Sequence, residues 1–208
     1  MTTQTRTPSP SPQSTRTQVD SAARRIAVIS SSLRDDRMSP PVADWALAAL
    51  EARGGVEPDL IDLTSITLPD DRLLYPGGSP RTDTTDRLAD AEAFVFVTPE
   101  YNHSFPASLK RFIDWHLSEW SFKPAAIIAY GARGGYACVE HLKGVLNELD
   151  MVTVARSIGL QAPWEHLNAQ GVYSPGEGAR GALENCLAEL HWWTELLSWA
   201  RANRPFRT

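Results

Sequence analysis

The chain has 208 residues, 42% apolar and 22% charged, with a formal net charge of -5. That is the balance of a soluble globular protein, with one domain's worth of length. The mild acidity argues against nucleic acid or anionic lipid as the main partner, and no apolar run is long enough to span a membrane. Two cysteines, Cys138 and Cys186, make neither a disulfide framework nor a zinc site and fit a reducing, cytoplasmic setting.

Residues 1–18 hold six Thr, three Ser, three Pro and three Gln, with nothing apolar but Met1. Such a stretch cannot offset the entropy of ordering itself, so residues 1–23 are expected to be a disordered tail. It has no hydrophobic segment of the secretory type. Its Arg and Ser without acid are shared with organelle transit peptides, but Pro8, Pro10 and Pro12 break the amphipathic helix that such peptides need. The folded domain is expected over 24–208.

From there, short apolar runs alternate with helical periodicities. Arg25–Ser30 reads as a buried strand. Val42, Trp45, Ala46, Ala49 and Leu50 follow at helical spacing, and Gly54-Gly55 stops that helix. Val56–Leu63 reads as a second strand. Thr64–Asp83, with three prolines, reads as a long loop. A short helix at Thr85–Ala91 precedes Ala93–Thr98, the strongest strand signal. Pro106 is expected in the first turn of a helix whose apolar face is Leu109, Phe112, Ile113 and Leu117. Ala125–Tyr130 is a fourth strand, Val139 to Leu149 a helix, Val152–Ala155 a fifth strand, and Gly178–Ala202 a last helix on a Leu183-Leu187-Leu190-Leu197 stripe. Core packing is expected of Trp193 and Trp199, whereas Trp192 falls off the stripe and suits an oligomer contact.

Strands alternating with helices predict an α/β fold, a flavodoxin-like doubly wound parallel sheet of order 2-1-3-4-5 with helices on both faces. Ligands bind such sheets at the carboxyl ends of strands 1, 3 and 4. The loops after Ser30, Thr98 and Tyr130 therefore matter most.

The first loop, Ser30–Ser39, gathers hydroxyls, Arg34, Arg37 and the amides of a helix N-terminus, a set suited to phosphate. It matches neither GxxxxGK[ST] nor GxGxxG. A cluster of capping serines with solvated arginines is the plain alternative. The second loop, Thr98–Pro106, crowds Tyr101, Asn102 and His103 into a turn that needs only a cap. Ser104 is expected to supply that cap, and the rest fits a flat heterocycle or an ordinary surface turn. The third loop sets Gly131, Gly134 and Gly135 between strand and helix, which permits close backbone approach or simply a flexible turn. Metal and hydrolase constellations are weak: the five His show no HExxH or zinc spacing, and GxSxG is absent.

These residues bring the chain to a resemblance. Pro99-Glu100-Tyr101-Asn102-His103-Ser104-Phe105-Pro106, continuing Leu109-Lys110-Arg111 and Ile113-Asp114-Trp115, resembles the PEYN signature of the NADPH-dependent FMN reductase family, with its quinone, azo-dye and chromate reductases. Arg111 stands where Asn is usual. Ser32-x-Arg34-x-x-Arg37 is similar to the family's phosphate loop, with Ser31 in place of its Gly, and Gly131-x-x-Gly134-Gly135 is similar to its third loop.

The resemblance implies bound FMN, with NADPH or NADH as co-substrate and a small-molecule electron acceptor such as a quinone or flavin. It implies that Ser32, Arg34, Arg37, Met38 and Ser39 hold the phosphate. Pro99, Glu100, Tyr101, Asn102 and His103 would line the isoalloxazine, and Gly131, Gly134 and Gly135 would approach its pyrimidine side. Tyr101 and His103 would also shape the acceptor pocket. No catalytic side chain is implied, because the flavin carries the redox chemistry. A homodimer or homotetramer is implied. The rival readings are a flavodoxin-type electron carrier, whose usual T-x-T-G-x-T loop is missing, a flavin reductase supplying free reduced FMN to a partner monooxygenase, and a non-catalytic regulator that kept the fold.

Overall fold

The computed structural model describes residues 23–75 and 79–206. Nearly all of the expected tail lies outside the described residues. β1 (Arg24–Ser30) leads through a polar loop to α1 (Ser39–Arg53), which ends at Gly54. β2 (Val56–Asp62) is followed by the long connection, which contains two 3-10 turns, Leu63–Ser65 and Asp71–Leu73. Then come α2 (Thr85–Asp90), β3 (Ala93–Pro99), α3 (Ala107–Trp115), β4 (Pro124–Gly131) and α4 (Tyr136–Glu148). β5 (Val152–Thr153) and β6 (Ile158–Gln161) precede α5 (Glu177–Asn203).

The sheet is parallel, in the order β2-β1-β3-β4-β5, the flavodoxin-like arrangement. Its fifth position is split: β5 pairs with Pro124 and Ala125, and β6 pairs with Ile128–Gly131 further along β4. Between the two halves, the amides of Ala155 and Arg156 leave the ladder and donate to the Glu189 carboxylate at 2.9 and 3.2 Å. That contact satisfies donors which a strand break otherwise strands.

Side-chain alternation along the strands makes two cores. Ile26, Val28, Val95, Val97, Ala126 and Ile128 face α1 and α5. Ala27, Ile29, Phe94, Phe96, Ile127 and Ala129 face α2, α3 and α4 and enclose Trp120. Four expectations need correction. Pro106 is the residue before α3, and the helix stops at Trp115, so Leu117 is exposed rather than on the apolar face. On α5 the buried stripe takes in Thr194, whose hydroxyl bonds back to the Leu190 carbonyl, while Leu197 is half-buried. Trp193 packs on the core, but Trp199 is 52% exposed, and Trp192, at 58%, lies off the core as its position predicts.

Candidate functional site

The carboxyl ends of β1, β3 and β4 open into a cleft of about 230 Å3. Ser32, Arg34, Arg37, Met38, Pro99, Glu100, Tyr101 and Gly131 line it, as expected from the sequence. Asp36, Tyr130, Ala132 and Trp164 line it as well. Ser39, Asn102, His103, Gly134 and Gly135 do not reach the lining.

The phosphate-type loop is ordered by side chains spent inward. Arg37 grips Asp62 at the end of β2 through both terminal nitrogens, 2.6 and 2.8 Å, and also donates to the Ser32 carbonyl. Burial opposes charge on Asp62, but the Arg37 fork and the amide and hydroxyl of Thr64 outweigh it and hold the carboxyl below its ordinary range. Arg37 is thus an anchor of the loop with little left to offer an anion. Arg34 is exposed, makes no ion pair among the described residues, and lies over the Tyr101 ring at 5.9 Å. Asp35 and Asp36 are exposed, and Asp36 reaches the rim of the cleft.

α1 begins at Ser39, preceded by Met38 without a side-chain cap. Pro40 and Pro41 then bring no N–H to its first turn, so the amides of Met38 and Ser39 are the donors there. Neither has an acceptor among the described residues. Ser31 is fully buried and absent from the positive-φ residues, so its backbone makes no demand for glycine. Its amide bonds Val97, its carbonyl accepts from Ser108, and its hydroxyl has no partner.

The second loop has a structural reason that the sequence hides. Tyr101 and Ser104 exchange backbone bonds at 2.8 and 3.0 Å, and Asn102 and His103 between them sit at φ of 49° and 70°. Two consecutive left-handed residues make the tight turn that closes such a pair. Ser104 is therefore part of the turn, and the expected helix cap is not formed. Glu100 turns away toward α4 and accepts from the Cys138 amide at 3.3 Å, which places a carboxylate at that helix's N-terminus. His103 is exposed and stands 5.9 Å from the His141 ring.

In the third loop Gly134 and Gly135 are buried, at φ of +88° and +76°. A Cβ on Gly135 would stand 2.8 Å from the β4 backbone. The turn into α4 demands both glycines, independently of any ligand. Gly159 on β6 belongs to no motif in the sequence, yet a Cβ there would lie 2.3 Å from the Gly134 carbonyl. β6 thereby closes on this loop and leads to the turn Pro163–His166, which brings Trp164 to the cleft.

Burial raises both thiols to about 12, so Cys138 and Cys186 are protonated and unreactive. Among the described residues no group of three His, Cys, Asp or Glu is placed to hold a metal ion. The donor set instead suits a phosphate monoester: Met38 with its free amide, the Ser32 hydroxyl and Arg34 line the cleft together with Pro99–Tyr101 and Gly131–Ala132, and the free Ser39 amide lies just behind them.

Residues 24–164 match the family model described as NADPH-dependent FMN reductase. The chain belongs to that family. It is 33% identical over 159 residues to an NAD(P)H-dependent FMN reductase of Schizosaccharomyces pombe, covering 73% of this chain and 79% of the relative. It is 37% identical over 139 residues to a 2-hydroxy-1,4-benzoquinone reductase of Burkholderia sp, covering 62% and 74%. Among solved structures, the flavoenzyme NAD(P)H:(acceptor) oxidoreductase FerB of Paracoccus denitrificans superposes with a TM-score of 0.67 at 25% identity, over 83% of this chain and 98% of that one. This member of the FMN reductase family is accordingly an oxidoreductase enzyme with a flavodoxin-like fold.

Proposed function

We propose that the protein passes electrons from NADPH or NADH through bound FMN to a quinone or similar small acceptor. One observation carries the reading: the cleft at the switch point joins Met38 at the start of α1, Ser32 and Arg34 to residues 99–101 and 131–132, on a chain of the FMN reductase family. FMN, when bound, supplies the hydride-accepting and electron-donating chemistry. Met38, Ser39, Ser32 and Arg34 hold its phosphate, with Arg37 anchoring their loop. Pro99, Glu100, Tyr101 and Gly131 provide the wall for its ring, and Asn102, His103, Gly134 and Gly135 fix the turns behind that wall. Trp164, 46% exposed, offers an aromatic face where an acceptor enters.

The same reading takes the flavin-binding domain to begin at 24. No helix among the described residues is long and apolar enough to cross a membrane. Two free buried thiols fit a cytoplasmic enzyme, and a homodimer or homotetramer is part of the same proposal. Purified protein supplemented with FMN should oxidise NADPH and reduce a quinone in steady-state assays. Tight FMN binding without turnover by either nicotinamide would make the protein an electron carrier instead.

A further inference from the structure

Tyr130 stands near the end of β4, 5% exposed, with its ring in the core beneath α1 and α5. A phenylalanine would fill the same volume. The hydroxyl faces the serines at the start of the helix: it meets Ser39 Oγ at 2.8 Å, with the Ser32 hydroxyl as a second, weaker partner. Burial pushes the phenol up to about 12, so it stays protonated. Ser39, the first residue of α1, is fully buried, and its Oγ also accepts the Ser32 amide at 3.3 Å. Ser32 Oγ in turn meets the Tyr101 hydroxyl at 3.1 Å. One run of hydrogen bonds thus ties the end of β4 to the start of α1, to the loop after β1 and to the loop after β3.

Besides the Arg37–Asp62 fork and the burial of Met38, the start of α1 lacks the usual capping restraints. Pro40 and Pro41 carry no N–H, and Met38 makes no side-chain cap. The amides of Met38 and Ser39 are left pointing wherever Ser39 is held. A sequence pattern assigns Tyr130 to a strand and gives it no further task.

We propose that Tyr130 is a positioning residue for the phosphate end of the flavin nucleotide, acting through Ser39 to aim the first amides of α1 and the Ser32 loop into the cleft. This rests on the FMN reading above. Tyr130 also borders the cleft, but its hydroxyl is turned to Ser39, so that hydroxyl should matter for FMN and not for riboflavin, which shares the ring and lacks the phosphate.

The test is titration of FMN and of riboflavin, by quenching of flavin fluorescence, into the full chain and its Tyr130→Phe, Ser39→Ala and double variants, with thermal melts of each. Tyr130→Phe should weaken FMN about 5- to 10-fold, the value of one net hydrogen bond, and leave riboflavin within about twofold. Ser39→Ala should do the same from the other side, and the double variant should be no weaker than either single. Equal losses for both ligands, additive losses, or an unchanged FMN affinity would overturn the proposal. Wild-type protein that binds both flavins equally would show that the phosphate does not sit here, and overturns it too. Wild-type protein that binds no flavin would sink the FMN reading itself and this role with it.

Discussion

Arg37 and Asp62 form a two-pronged ion pair, at 2.6 and 2.8 Å, that joins the loop after β1 to the end of β2. Both side chains are mostly withdrawn from water, at 17% and 23% exposure. Asp62→Asn should therefore cost about 1–3 kcal/mol of folding stability in urea unfolding. Arg37→Lys should not rescue the fork, because an ammonium cannot make two parallel bonds. The carboxyl of Asp62 is held below 3.8 in the folded chain, so its share of stability is present above that pH. It is lost as acid protonates the folded carboxylate. Asp62→Asn should flatten that acid limb.

At the rim of the cleft a cation and an anion are both free of ion pairs among the described residues: Arg34 and Asp36. Arg34→Ala should weaken FMN several-fold and make its affinity less sensitive to salt, since exposed charges act through a screened field. Asp36→Asn should tighten FMN by a few-fold for the same reason with opposite sign. Titrations at roughly 20 and 200 mM salt read both effects, given a Debye length of about 10 Å near 0.1 M. Stronger binding by Arg34→Ala would contradict the placement of the phosphate.

Trp164 reaches the cleft from the turn after β6. Trp164→Ala should raise the KM for a quinone by roughly 2- to 10-fold, the range of one aromatic stacking contact. The KM for nicotinamide nucleotide is the internal control. An unchanged quinone KM would remove Trp164 from the acceptor's path.

His116 is buried beside Trp120, donating from Nδ1 to the Phe112 carbonyl at 3.0 Å, with Nε2 3.2 Å from the Thr82 hydroxyl. Burial holds its pKa below 6.5, against the weaker pull of the Phe112 contact and of Glu119. The unfolded chain then binds the extra proton first. Stability is complete above about pH 6.5 and falls as the pH drops toward the folded value. Urea unfolding at pH 7.5 and 5.5 should show this loss in the wild type and a smaller one in His116→Gln.

The continuous strand runs and the helical stripes are legible in the sequence because burial on both faces of a parallel sheet leaves unbroken apolar segments. β6 is not: Ile158–Gln161 is four residues long, with a glycine inside it. Ser104 reads as a cap because local chemistry favours it, yet the backbone pairing of Tyr101 with Ser104 takes precedence. The partner of Arg37 was within reach. Order 2-1-3-4-5 makes the first two strands parallel neighbours, so their carboxyl ends lie side by side, and the register sets Ser30 opposite Asp62. Trp164 is a single aromatic after a proline in a loop, with no pattern to mark it. Tyr130 is hidden for the opposite reason, since it looks like any strand residue.

The split at the fifth position of the sheet has a consequence for how this scaffold can vary. β6 takes its register from β4 rather than from β5. Among the described residues, the hydrogen bonds of the exposed residues between the halves, Ala155 and Arg156, go to Glu189 of α5. Length changes at 155–156 would bulge outward at the edge and leave the ladder of β6, and with it Trp164, where they are. The wall of the cleft that meets an acceptor is therefore insulated from insertions a few residues upstream, and that edge is a permissive place to lengthen the chain.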